Sequence, residues 1–117
     1  MEKKIRVVTI IGTRPEIIRL SEVIKALDKD EEIEHLLVHT GQNYDYELNQ
    51  VFFEDLDLRA PDYYLNCAGK DLGESIGNAI SKSYYLLREL NPDAVLILGD
   101  TNSALCAISA KRLKLPI

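Results

Sequence analysis

The chain has 117 residues, the length of one domain. Hydrophobic residues make up 46% and charged residues 28%, an ordinary globular mixture that supports one core and is too small for a two-lobed enzyme. The formal net charge of −5 argues against a nucleic-acid partner, which would want a basic face, but it leaves room for a phosphorylated ligand.

Short β-branched runs alternate with helical stretches, the pattern of βαβ units. Arg6 to Ile11 reads as a buried strand, broken by Gly12. Ile17, Leu20, Ile24 and Leu27 form a helical stripe within residues 14–28. Ile33 to His39 is a second strand, and Leu48, Val51, Phe52 and Leu56 mark a second helix. A short, weaker strand is expected around Asp62 to Leu65. Leu72, Ile76, Ile80, Tyr84 and Leu87 then mark a long third helix, ended by Asn91-Pro92-Asp93. Its Tyr84 and Tyr85 read as the edge of the core. Ala94 to Leu98 is the clearest buried strand, and Asp100 or Thr101 opens a fourth helix with Leu105, Ile108 and Leu113 on one side. Lys114-Leu115-Pro116-Ile117 resembles the entry to another strand. Residues 1–117 are thus expected to be a single Rossmann-like domain, a doubly wound, mainly parallel α/β sheet cut before its next strand.

Cys67 and Cys106 have no metal-ligand spacing, and two cysteines do not make a disulfide framework. They read as ordinary thiols in a reducing compartment. No signal-peptide region follows Met1-Glu2-Lys3-Lys4, and no stretch could cross a bilayer. The expectation is a cytoplasmic protein without a membrane partner.

Two turns carry the candidate chemistry. In Gly12-Thr13-Arg14-Pro15-Glu16, Thr13 and Glu16 have capping-box spacing, and Pro15 suits a first helical turn. Gly12 allows close backbone approach. A helix N-terminus beside Arg14 attracts anions, with its N–H groups open to the ligand. Gly99-Asp100-Thr101-Asn102-Ser103 offers a carboxylate and hydroxyls at a second helix start. If the fourth strand returns beside the first, both turns flank the switch point where such folds bind ligands. The His39-to-Glu47 loop lies on the same edge. His39 and Gln42 could bond a ligand there, although local chemistry alone favours a loop satisfying its own backbone. His35 reads as structural. No GxGxxG follows the first strand, against an ordinary dinucleotide site.

Gly12-Thr13-Arg14-Pro15-Glu16, His39-Thr40-Gly41-Gln42 and Gly99-Asp100-Thr101, in this order, resemble the non-hydrolysing UDP-N-acetylglucosamine 2-epimerases. The stretches 41–50 and 99–103 look like a capsule and O-antigen subgroup that includes enzymes forming UDP-N-acetyl-L-fucosamine. The resemblance covers the whole chain. It implies most of the N-terminal lobe of a GT-B-like two-domain enzyme, with the C-terminal lobe absent. It further implies inversion at C2 of a UDP-N-acetylhexosamine by UDP elimination and re-addition, with no cofactor or metal, in a full-length homodimer. Carried over by position, Arg14 and Asp100 become the catalytic candidates. Gly12, Thr13, Arg19, His39, Gln42, Thr101, Asn102 and Ser103 become substrate-binding candidates. The pattern departs from the family where Arg19 replaces a common lysine and where Gly41-Gln42-Asn43 replaces Ala-Gln-His. The alternatives are a non-catalytic nucleotide-sugar-binding fragment and the lobe of a GT-B glycosyltransferase.

Overall fold

Four parallel strands form the sheet of the computed structural model, which describes residues 4–41, 50–99 and 102–117, with Asn102 in backbone only. Strand β1 (Ile5–Ile11) leads into helix α1 (Arg14–Lys29), and β2 (Ile33–His39) follows. Helix α2 (Gln50–Asp55) and the two-residue β3 (Tyr63–Tyr64) come next. Helix α3 (Leu72–Leu90), strand β4 (Ala94–Ile97), a 3-10 turn (Asn102–Leu105) and helix α4 (Cys106–Arg112) complete the chain. The strand order is β3-β2-β1-β4. The chain therefore winds outward from β1 and then returns to its other side, which places a topological switch point between β1 and β4.

Strands β1, β2 and β4 are covered on both faces, so their alternate residues feed two cores. Val8, Ile10, Val38 and Val95 pack with Ala79 and Leu87 of α3 and with Cys106 and Ala110 of α4. Ile11 and Leu37 point the other way, to Ile17, Leu20 and Ile24 of α1 and Phe53 of α2. Each fully buried aliphatic or phenyl side chain contributes about 1.5–3 kcal/mol.

The helix ends follow local chemistry. The side chain of Asp71 accepts a hydrogen bond from the Glu74 amide and starts α3. Asn91, left-handed at φ 43°, ends it. Arg6 Nη1 donates to the carbonyl of Leu90, placing positive charge at the helix C-terminus. His35 is structural as expected. Its side chain is 1% exposed, with Nε2 2.7 Å from Thr9 Oγ1 and Nδ1 2.7 Å from Asp28 Oδ1. Arg59 bridges Asp28 and Asp62. Burial works against the Arg59 charge, but its hydrogen bonds to both carboxylates outweigh that and raise its pKa above the ordinary value.

The last helix differs from expectation. It opens with a 3-10 turn, and its buried face is Cys106, Ser109 and Ala110, while Ile108 is 48% exposed. The small residues let α4 lie close against α3, where Ser109 Oγ donates to the carbonyl of Ile80. Beyond it, the amide of Val95 donates to the carbonyl of Pro116. Among the described residues no helix is long and apolar enough to cross a membrane.

Candidate functional site

Strands β1, β2 and β4 end on one edge of the sheet. Ile11 pairs with His39, and Ile10 with Ile97. Their following turns therefore leave the sheet at nearly the same height. The Thr40 amide donates to the carbonyl of Ile11, which brings the first two turns into contact. A Cβ at Gly12 would sit 2.5 Å from Thr40 Oγ1, so glycine is required there by close approach. Gly99 has a φ of +92°, a left-handed conformation that glycine adopts without strain.

The start of α1 is built around Glu16. Its Oε2 accepts from the amides of Gly12, at 3.1 Å, and Thr13, at 2.6 Å, and from Thr13 Oγ1, at 2.8 Å. Glu16 Oε1 accepts from Ser103 Oγ, 87 residues further along. This corrects one expectation. The amides of Gly12 and Thr13 are not open to a ligand, because the chain's own carboxylate already satisfies them. Pro15 has no amide hydrogen to offer. The positive group that the turn presents is the Arg14 guanidinium.

Beside this turn lies a cavity of about 300 Å³. Gly12, Arg14 and Ile17 line it from β1 and α1, His39, Thr40 and Gly41 from the end of β2, and Phe52 and Phe53 from α2. The Arg14 guanidinium stands over the Phe52 ring, 5.5 Å from its centroid. His39 is buried, and its ring lies 5.9 Å from that of Tyr64. Its Nδ1 accepts from the Gly41 amide at 2.8 Å. The wall is braced from outside by the amides of Leu65, Cys67 and Asn66, which donate to the carbonyls of His39, Thr40 and Gly41. A cation, backbone groups and an apolar floor are thus held together, a combination that suits a ligand with an anionic part and a ring.

The structure brings Gly12, Arg14 and His39 to this cavity. Thr13 belongs to the helix cap. Ser103 is buried and bonded to Glu16. Arg19 is exposed and outside the lining. Five residues beyond Arg14, it sits roughly 140° around the helix. Gln42, Asp100 and Thr101 lie outside the described residues, and Asn102 is placed only as the start of the 3-10 turn. The first and fourth turns do meet, through Glu16 and Ser103, yet the described cavity opens on the β1–β2 side. Sequence reading missed Ile17, Thr40, Gly41, Phe52 and Phe53 as lining residues. The adjacent aromatics at 52 and 53 were the available signal, since one helix can bury only one of two neighbours fully. Phe53 is 1% exposed and Phe52 half-buried. Tyr85, read as core edge, is 58% exposed, and the guanidinium of Arg88 lies over its ring.

The chain matches the family model described as UDP-N-acetylglucosamine 2-epimerase over residues 25–117. It is similar to the structure of UDP-N-acetylglucosamine 2-epimerase from Rickettsia bellii, with 55% identity, a TM-score of 0.88 and 97% of this chain covered. The crystal structure of Methanocaldococcus jannaschii UDP-GlcNAc 2-epimerase in complex with UDP-GlcNAc and UDP is 38% identical, with a TM-score of 0.84 over 95% of the chain. The UDP-2,3-diacetamido-2,3-dideoxy-D-glucuronate 2-epimerase of Pseudomonas aeruginosa is 37% identical over 96% of the chain. The chain spans 30%, 31% and 32% of these relatives, respectively.

Proposed function

The chain belongs to the UDP-N-acetylglucosamine 2-epimerase family, and on that premise we propose that it forms the N-terminal, diphosphate-facing wall of a site that inverts C2 of a UDP-N-acetylhexosamine. The observation that carries the reading is the placement of Arg14 beside His39 in the cavity at the carboxyl ends of β1 and β2. In the whole enzyme, a GT-B-like protein of two lobes, a base removes the C2 proton. The electron pair forms the C1–C2 double bond as the C1–O bond breaks and UDP departs with its pair. UDP oxygen then adds back to C1 while a proton reaches C2 on the opposite face.

Each residue role follows from that charge flow. Negative charge grows on the departing diphosphate, and a preorganised guanidinium counters it most effectively. Arg14, fixed over Phe52, supplies it. Asp100 is the acid/base candidate for the proton at C2. Gly12, Thr13 and His39 shape the wall, Arg19, Gln42, Thr101 and Asn102 complete the substrate-binding set, and Ser103 supports it through Glu16. We place the enzyme in the cytoplasm, as a homodimer, supplying sugars for surface polysaccharide. Because the chain spans about 30% of its relatives, a second reading holds for the chain alone: it binds the nucleotide without turning it over.

The test joins residues 1–117 to the remainder of the Rickettsia bellii relative and incubates the product with UDP-N-acetylglucosamine in deuterated water. Deuterium should enter C2 and the C2 epimer should form. Arg14→Ala and Asp100→Asn should each lower the rate roughly a hundredfold or more. Near-wild-type rates in both would sink the assignment. Turnover by the 117-residue chain alone would sink the second reading.

A further inference from the structure

The capping carboxylate of α1 does more than cap. A capping box is complete with the reciprocal pair of N-cap and N3 residues, here Thr13 and Glu16. Glu16 nevertheless spends its second oxygen on the hydroxyl of Ser103, in the turn that opens α4. Both side chains are inside the protein, Glu16 at 3% and Ser103 at 1% exposure. A buried carboxylate is costly unless its oxygens are bonded. Among the described residues its carboxylate accepts from Gly12 and Thr13 on one turn and from Ser103 on the other. Moving either turn alone would strip a bond from a buried charge.

We infer that Glu16 and Ser103 are positioning residues that lock the Gly12–Arg14 turn and the Asn102–Leu105 turn into one unit, so that the groups on the two turns meet a nucleotide at a fixed separation. Neither side chain needs to touch the ligand. They act through Arg14 on one side and through the backbone of the Asn102–Leu105 turn on the other. Fixed separation matters because small misplacements of groups in a site cost rate and affinity steeply. The inference rests on the reading of this edge as a UDP site.

The two substitutions at Glu16 have different consequences. Glutamine keeps one oxygen for Gly12 and Thr13 and can present its amide to Ser103 Oγ, which accepts as well as donates. Alanine removes both halves of the bridge. Ser103→Ala removes only a hydroxyl and should leave the fold intact even if Glu16→Ala does not.

The test uses the 117-residue chain, isotopically labelled, with UDP as the probe and backbone amide shifts as the readout. In the wild type UDP should shift Gly12–Arg14 and Asn102–Leu105 together. In Ser103→Ala the response at Asn102–Leu105 should be lost, and affinity should fall roughly tenfold, as expected for one hydrogen bond to a charged group. Glu16→Gln should restore the joint response that Glu16→Ala abolishes. An undiminished joint response in Ser103→Ala and Glu16→Ala overturns the inference. If UDP shifts neither turn in the wild type, the ligand reading fails, and coupling is then decided without ligand. Ser103→Ala should speed hydrogen exchange at the Gly12 and Thr13 amides roughly tenfold, and unchanged exchange overturns the inference by itself.

Discussion

The Arg14 guanidinium lies over the Phe52 ring, 5.5 Å from its centroid, at the mouth of the cavity. Arg14 is exposed and Phe52 half-buried, so the stack contributes only about 0.5–1 kcal/mol. Its value is geometric, because it holds a planar cation in one orientation. Phe52→Leu should keep the helix packed but free the guanidinium, weakening UDP binding about threefold. Arg14→Lys should lose more than Phe52→Leu, since an ammonium keeps the charge but not the planar fork. Titration calorimetry of the three proteins checks the order. Equal affinities would show that the stack has no role in binding.

Gly12 tolerates no side chain while Thr40 is present. An added Cβ would meet Thr40 Oγ1 at 2.5 Å, whereas its next contacts, at 3.5 and 3.7 Å, are ordinary. Gly12→Ala should therefore destabilise the chain by about 1–3 kcal/mol. In a Thr40→Ala background most of that cost should vanish, because the clashing oxygen is gone. Urea unfolding of the two single variants and the double variant gives the coupling. Additive costs would mean that the Thr40 hydroxyl is not what excludes a side chain at Gly12.

Thr9 is fully buried, and its hydroxyl shares a hydrogen bond with the His35 ring, whose other nitrogen meets Asp28. Thr9→Val preserves shape but leaves Nε2 of a buried imidazole without its partner. We expect a loss of about 1–3 kcal/mol in unfolding free energy. The site lies on the other side of Ile11, so UDP affinity should stay within about twofold of wild type. A stability change below 0.5 kcal/mol on the order of measurement error would refute the importance of this bond.

Both cysteines are buried thiols. Burial pushes the Cys67 pKa up to about 11, with Cys106 nearby adding to the rise, and burial also raises Cys106. The reactive form is the thiolate, so a raised pKa suppresses reaction below it. Neither thiol should react with iodoacetamide in the folded chain at pH 8, and both should react once urea unfolds it. Mass spectrometry counts the adducts, and rapid labelling of the folded protein would contradict the burial.

What was legible in the sequence was whatever depends on neighbours in the chain. The strand Ile33–His39 and the helix entry at Arg14 followed from residue periodicity and from the Thr13–Glu16 spacing, and both stand in the structure. The return of β4 beside β1 followed from the winding rule for parallel sheets. The motifs at Gly12 and Gly99 were read as facing turns, and Glu16 and Ser103 do join those turns.

The tertiary structure decided what depends on residues far apart in the chain. Periodicity put Ile108 on a buried face, but the close packing of α3 against α4 turned Ser109 and Ala110 inward instead. The helix start looked like an open anion site until Glu16 took up its nearest amides. The cavity formed on the β1–β2 side because Ile11 and His39 end in register and α2 brings Phe52 beneath Arg14. Local patterns specify which segments form and where they begin. Only the register of the sheet and the packing of distant helices specify which side chains share one space.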